Sequence, residues 1–311
     1  MSPAIPAFSV VIPAWKRAEL TQRAVQSVLQ QTFTDFEVIV VDDASPEPIE
    51  PQLHLPADSR VRVIRRAANG GGSAARNTGF DAARAPVVCL LDSDDLWLPG
   101  KLQAEYDWLQ RHERGDHWML FSRFWVDTVN GRTLAREAGW TPGMELAAFL
   151  FADRGPMQTS SLTMPTRLAQ RIRFDERLPR LQDWDFVLRV AASGARIEYL
   201  PVETAVYDAP DNDERISSRL DPDFLHRWIE ARKGWMSPRA YWGFMANKLA
   251  PELVQTGRRE QAIPLFLQGV LHGVLTPRYA AIELLRLGVP ASVFARLLRA
   301  RRTLRERTGA Q

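Results

Sequence analysis

Three carboxylates close an apolar run in Val87-Val88-Cys89-Leu90-Leu91-Asp92-Ser93-Asp94-Asp95. A short, β-branched run of this kind predicts a buried strand. Asp92 and Asp94 then arrive at its carboxyl end, where open α/β sheets bind their ligands. Crowded carboxylates repel one another unless a cation or a hydrogen-bonding ligand offsets the charge. A divalent ion bridging a carboxylate to two phosphates would do so. Taken alone, the same residues also fit a solvated acidic turn in which Asp95 caps a following helix, and short motifs recur by chance. A second carboxylate centre, Gln182-Asp183-Trp184-Asp185, precedes apolar residues at 186, 187, 190 and 191 that predict a helix over 183–192, ended by Gly194. Asp183 there is either the N-cap of that helix or a positioned base.

The elements that must hold these groups alternate along the first hundred residues. Strands are predicted at 8–12, 36–41, 61–64 and 86–91, with helices at 17–31 and 73–82. Repeated βα units imply a parallel, doubly wound sheet. Beyond Trp97 the pattern is mixed, with helices expected at 101–111, 144–151 and 167–171 and strands at 117–126, 196–200 and 204–207. From residue 221 onward it is helical, broken at Pro238, Gly257, Gly273, Pro277 and Gly288.

Four features therefore fall on one sheet edge: Pro13-Ala14-Trp15, Asp42-Asp43-Ala44-Ser45, Asp92-Ser93-Asp94, and the loop from Asn69 through Gly70-Gly71-Gly72 to Gly79. Consecutive glycines let backbone amides approach a phosphate or sugar, and the N-terminus of the following helix favours negative charge. The loop lacks both the G-x-G-x-x-G spacing of a dinucleotide site and the Gly-Lys-Ser/Thr of a Walker motif.

Bulk properties set outer limits. A chain of 311 residues, 45% hydrophobic and 25% charged, has the composition of a globular enzyme of one large domain or two. The single cysteine, Cys89, excludes an internal disulfide framework and sits mid-strand as a small apolar residue. No stretch reaches the ~20 apolar residues of a membrane span, and no signal peptide stands out, so a cytoplasmic location is expected. The net charge of +3 is uneven, with eight Arg and two Glu from Arg278 to the end. That basic segment alternates with apolar residues such as Ile282, Leu285, Phe294 and Leu297. It fits helices packed on the core with Arg facing solvent, or an interfacial pair touching an anionic membrane through residues 278–311 on the inner face of the plasma membrane. Without aromatic interleaving, it gives no reason to expect a nucleic-acid partner.

The blocks Val-Val-Ile-Pro-Ala-Trp (10–15), Val-Val-Asp-Asp-Ala-Ser (40–45), Gly-Ser-Ala-Ala-Arg-Asn-Thr-Gly (72–79), Leu-Asp-Ser-Asp-Asp (91–95) and Gln-Asp-Trp-Asp (182–185) occur in that order. Together they resemble the family 2 glycosyltransferases, inverting enzymes that use nucleotide sugars and share the GT-A fold; the likeness runs over about residues 7–218. It implies an α/β domain over 1–218 with a Rossmann-like mixed, mostly parallel sheet flanked by helices. Residues 1–100 would form its nucleotide-binding part and 101–218 its acceptor and catalytic part, followed by a helical C-terminal extension over 219–311. It further implies that Pro13, Ala14 and Trp15 border the base and that Asp43 accepts a hydrogen bond from the uracil of a UDP-sugar. Gly71, Arg76, Asn77, Asp92 and Ser93 would line the donor site. Asp94, with Asp92 beside it, would hold Mn²⁺ or Mg²⁺, and Asp183 would be the general base. The acceptor would be a glycan or lipid-linked glycan in polysaccharide biosynthesis at the cell envelope.

Two departures from the family pattern stand out. Gln182 occupies a position where relatives usually carry Glu, and no His follows Val206-Tyr207 to help bind metal, leaving Asp208 or Asp211 as substitutes. These departures keep open a catalytically degenerate nucleotide-sugar-binding or scaffold protein of the same fold. A nucleotidyltransferase is a further alternative, but Ala14-Trp15-Lys16-Arg17 lacks the basic glycine-rich loop it would need after the first strand.

Overall fold

A computed structural model describes residues 5–54, 58–112, 115–136, 139–208 and 220–288. The chain divides into two compact units, one comprising Met1–Pro142 with Pro156–Asn212 and the other Gly143–Gly155 with Asp213–Gln311.

The first unit is built on parallel strands β1 (Phe8–Ala14), β2 (Phe36–Asp42), β3 (Val61–Arg65) and β4 (Val87–Leu90), lying side by side in the order β3-β2-β1-β4. Every residue of β1, β2 and β4 is buried, as expected of strands covered on both faces. Helices α1 (Ala18–Leu29) and α2 (Gly71–Ala82) make the crossovers. Glycine is required at position 79 of α2, because a Cβ there would come within 2.3 Å of Val11 on β1. The chain runs outward from β1 to β3 and returns to β4 on the other side of β1. This reversal opens a crevice beyond the carboxyl ends of β1 and β4, the usual ligand position in such sheets.

Past β4 the same sheet continues through β8 (Thr163–Pro165), β6 (Trp118–Thr128), β9 (Arg196–Asp208) and β5 (Leu96–Trp97), with β7 (Gly131–Leu134) hairpinned onto β6. The β6–β9 pairing is parallel, whereas β4–β8, β6–β8 and β5–β9 are antiparallel. The α/β architecture with a mixed sheet, mostly parallel along its ladder, is thus the one expected. Helices α3 (Lys101–Arg111), α5 (Thr166–Ile172) and α6 (Gln182–Ala192) flank it.

Three strands escaped the sequence pattern: β5 and β8 are too short to show alternation, and β7 is largely exposed and polar. The two strands expected at 196–200 and 204–207 are one, β9. Its register against β6 steps from Ser122↔Leu200 to Arg123↔Glu203, leaving Pro201 and Val202 unpaired in a bulge, a place where a strand tolerates proline. No helix follows Asp95, so it is not an N-cap; β5 begins at the next residue.

Beneath β4 lies an ion pair that the sequence did not announce. Lys101 and Glu105 are both 0% exposed and bonded to each other. Glu105 also accepts from Thr163 Oγ1 at 3.0 Å, and Lys101 Nζ sits 4.7 Å above the Trp97 ring. Cys89 is buried beside them, its thiol pushed up by desolvation and then by the Glu105 charge.

The second unit is helical: α4 (Leu146–Phe151), α7 (Pro222–Glu230), α8 (Pro238–Phe244), α9 (Ala250–Gln255), α10 (Arg259–Leu271) and α11 (Pro277–Arg286). Asp221, Ser237 and Thr276 each accept a backbone N–H at the start of α7, α8 and α11. A π-helical turn, Met245–Leu249, joins α8 to α9. Phe151, Trp228 and Phe244 pack edge-on or tilted at 5.1–6.4 Å. No helix among the described residues is long and apolar enough to cross a membrane. Most of the basic segment, residues 289–311, lies outside the described residues.

Replacing Lys101 by Met strands the Glu105 carboxylate in the core, and urea unfolding should show a loss of ~3–5 kcal/mol. The double change Lys101→Met with Glu105→Leu should recover most of it. A single variant as stable as wild type would mean that the pair is not dry.

Candidate functional site

The two aspartates that end β2 do different work. Asp42 is buried and accepts from Ser45 N at 2.9 Å, Ile49 N at 3.2 Å and Arg65 Nη1 at 2.5 Å. Burial pushes its carboxyl up, but the donors from Ser45, Ile49 and Arg65 outweigh this and hold it below the usual range. Asp42 therefore fixes the turn after β2, a common use of Asp. Asp43 reaches across to the glycine loop, accepting from Gly70 N at 3.1 Å and Gly71 N at 2.6 Å and pairing with Arg66. Asn69 Nδ2 bonds the Asp43 carbonyl at 3.0 Å. Gly71, at φ +80°, opens α2. The Asp43 carboxylate assigned to a uracil from the sequence thus shapes the loop in this structure. Trp15, beyond the end of β1, is half exposed with Lys16 Nζ 4.1 Å above its ring.

At the crevice itself, the two partly exposed carboxylates that follow β4 each have their own arginine. Asp94 Oδ2 lies 2.5 Å from Arg17 Nη1, and Asp92 pairs with Arg76 of α2. The Asp94 carboxyl is raised by burial and then by the Asp92 charge, against the pull of Arg17. Asp95 turns inward and is fully buried. It accepts from Ser160 Oγ at 2.6 Å, from Gln158 Nε2, and from Asp208 N at 3.0 Å. Ser160 Oγ in turn accepts from Asp92 N at 2.9 Å. Desolvation, followed by the Asp92 charge, pushes the Asp95 carboxyl well up. Ser93 is buried between these aspartates in sequence. The Ser160 hydroxyl thereby braces the acidic loop, and the Asp95 carboxylate ties that loop to Asp208 at the end of β9. Arg17, Gln158 and Ser160 were missed from sequence; for Arg17 the signal was its place three residues after β1, and for the other two there was none.

Asp183 enters from α6. Leu181, in the left-handed region at φ 59°, starts that helix, and no side chain caps it, so Asp183 is not an N-cap. It is solvent-accessible, yet crowding by surrounding protein desolvates its carboxyl and raises it. The Trp184 amide and the Arg76 charge oppose the rise, and the Asp92 charge adds to it. Arg76 and Asp92 are thus its electrostatic neighbours. Gln182 donates to Leu178 O at 2.8 Å, and its Oε1 lies 3.7 Å from where a Gly72 Cβ would sit, next to Arg76. Asp185 is buried against Arg189 at 2.7 Å and is structural. Asn77, expected in the donor site, spends its amide on Phe174 and Glu176: its Nδ2 bonds Phe174 O at 2.9 Å and Glu176 Oε1 at 2.8 Å, while Oδ1 accepts Phe174 N at 2.8 Å. Lys16, Ala44 and Leu181, all left-handed without being glycine, sit at the ends of β1 and β2 and the start of α6, where strain tends to mark function.

Asp92 and Asp94 are oxygen donors of the type that Mg²⁺ and Mn²⁺ prefer, and their mutual repulsion is what a cation relieves. Among the described residues no group of three or more His, Cys, Asp or Glu could hold a metal. A cation here would therefore take two carboxylates from the chain and its other oxygens from phosphate and water, which is a common Mg²⁺ arrangement. Of the substitutes for the absent His, Asp208 gives its amide to Asp95, and Asp211 lies outside the described residues. Ser73 Oγ and Arg76 Nε, both on α2, are buried without a hydrogen-bond partner.

Residues 9–152 match the model of Glycosyl transferase family 2. The amylovoran biosynthesis glycosyltransferase AmsB of Erwinia amylovora is 28% identical over 264 residues, covering 82% of this chain and 87% of that protein. Succinoglycan biosynthesis protein ExoO of Rhizobium meliloti is 28% identical over 316 residues, 96% of this chain and 88% of its own. Among solved structures, S. aureus TarS 1-349 superposes with a TM-score of 0.63 at 17% identity, over 90% of this chain and 88% of that one. Its complex with UDP-GlcNAc gives 0.62 at 19% identity, over 94% and 87%.

Changing Asp43 to Ala leaves the Gly70 and Gly71 amides and the Arg66 guanidinium without their acceptor. A loss of ~1–3 kcal/mol is expected, with faster amide hydrogen exchange at those two glycines. Unchanged exchange would show that the loop does not depend on this carboxylate.

Proposed function

We propose that the chain, whose residues 9–152 match Glycosyl transferase family 2, is a transferase of that family and moves a sugar from a nucleoside-diphosphate sugar, a UDP-sugar by preference, to a hydroxyl of a glycan or lipid-linked glycan. The observation that carries this reading is the convergence of Asp92 with Arg76, Asp94 with Arg17, and Asp183 at one crevice. A leaving diphosphate needs its growing charge offset. Arg17 and Arg76 supply positive charge there. The unpartnered Ser73 Oγ and Arg76 Nε favour a site completed by a polar ligand.

A divalent cation held by Asp92 and Asp94 would add charge neutralisation at the diphosphate. Asp183 then acts on the acceptor. An ionised carboxylate takes the proton of the attacking hydroxyl, and its raised carboxyl improves that match. Because Asp183 is the only base in this scheme and attack comes opposite the leaving group, the anomeric carbon inverts. Gln182 cannot ionise, so it leaves Asp183 as a single base and serves as a hydrogen-bonding neighbour. A surface polysaccharide or lipid-linked precursor as acceptor is supported by the biosynthetic roles in the relatives' names. Peripheral membrane contact through residues 278–311 also belongs to this reading, supported by the exposed Ile282 and Leu285 of α11. Unchanged vesicle flotation after removal of residues 278–311 would end it.

Nucleoside diphosphate release from a panel of nucleotide sugars with Mn²⁺ or Mg²⁺ tests the reaction. Asp94→Ala should abolish release and weaken donor binding. Asp183→Asn should keep donor binding while transfer falls by ~10²–10⁴. The acting form of Asp183 is the ionised one, so activity should be lost as pH falls through a pKa above the ordinary ~3.9. That acid limb should be missing from the residual rate of Asp183→Asn. Donor binding with no turnover in any acceptor mixture would favour the degenerate, binding-only alternative.

A further inference from the structure

We infer that Arg17 is an exchangeable counter-ion: it neutralises Asp94 while the crevice is empty, and transfers its guanidinium to the donor's diphosphate when a divalent cation takes Asp94. The inference rests on the donor site proposed above and assigns a role that the sequence blocks did not carry. Four observations lead to it.

Arg17 and Asp94 are 2.5 Å apart with side chains 49% and 40% exposed. A pair so open to solvent is weak, so exchanging partners costs little. By contrast, Arg76 and Asp92 are 12% and 24% exposed, and Arg65 and Arg66 pair with aspartates that are almost wholly buried. Arg17 is therefore the loosely held guanidinium of this group.

Its backbone, in contrast, is fixed. Lys16 before it is held in the left-handed region at φ 62°, and the Arg17 carbonyl accepts both Thr21 N at 2.8 Å and Thr21 Oγ1 at 2.7 Å. Only the side chain needs to move. It sits at the amino end of α1, directly after β1 and across from the acidic loop after β4, so it borders the crevice where a diphosphate would lie.

The charge balance then closes in both states. A cation on Asp94 repels the neighbouring guanidinium, while an incoming diphosphate offers oxygens matched to its planar fork. With no donor present, Arg17 competes with the cation for Asp94, so cation alone binds weakly and cation with donor binds strongly.

The test uses the full chain with two probes: Mn²⁺ alone, followed by electron paramagnetic resonance of the free ion, and UDP in the presence of Mg²⁺, followed by calorimetry. Arg17→Gln should bind Mn²⁺ alone several-fold more tightly than wild type and bind UDP with Mg²⁺ at least tenfold more weakly. Arg17→Lys, keeping the charge but not the fork, should fall between. A residue that merely supported the loop would weaken both. If wild type binds Mn²⁺ and UDP but Arg17→Gln leaves either affinity unchanged, or loosens Mn²⁺, the exchange is wrong. If Arg17→Gln tightens Mn²⁺ while the wild type binds no nucleoside diphosphate, Arg17 does shield Asp94 but the transfer of its guanidinium, and the donor site with it, is wrong.

Discussion

Repulsion between carboxylates collected at one sheet edge is the constraint around which the first unit is organised. A doubly wound sheet delivers β2 and β4 on either side of β1 with their carboxyl ends at the same edge, so Asp42, Asp43, Asp92, Asp94 and Asp95 gather there and must be answered by arginines and hydrogen-bond donors. Each is answered differently. Asp42 and Asp43 are saturated by backbone amides and by Arg65 and Arg66, Asp95 by Ser160, Gln158 and the Asp208 amide. Only Asp92 and Asp94 are left with an arginine each and solvent nearby. The saturated three build loops, and the two that remain exposed face the crevice.

That sorting was only partly legible in the sequence. The strands carrying the aspartates announce themselves by apolar, β-branched runs, because strands covered on both faces need no polar alternation. The glycine loop and the acidic loop could accordingly be placed on one edge, and α6 with Asp183 follows from its apolar spacing. Asp43 and Asp92 look alike in sequence, however, and what separates them is a long-range partner. Asp43 meets Gly70 and Gly71, twenty-seven and twenty-eight positions away, and Arg66 twenty-three away. Ser160 meets Asp95 across sixty-five positions. No local pattern encodes such pairings.

The buried Lys101–Glu105 pair makes the same point from the core. An i,i+4 Lys–Glu pair on a helix normally reads as a solvent-facing ornament. Here it is driven inward because Thr163, Cys89 and the Trp97 ring surround it under the acidic strand. Trp97 Nε1 also bonds Ser160 O at 2.8 Å. The core charge, the short strand β5 and the loop that presents Asp92 are thus one connected structure, and the geometry of the site depends on a network that extends well below it.

In the reaction proposed above, Asp92 and Asp94 meet the donor's diphosphate while Asp183 faces its sugar. Crystals soaked with Mn²⁺ and UDP, read by anomalous difference density, test it most directly. A single Mn²⁺ peak is expected between the Asp92 and Asp94 carboxylates and the two phosphates, with the Asp183 carboxylate facing the space beyond the terminal phosphate. A nucleotide bound elsewhere, or one bound at the crevice with both carboxylates still on their arginines and no metal between, would contradict it.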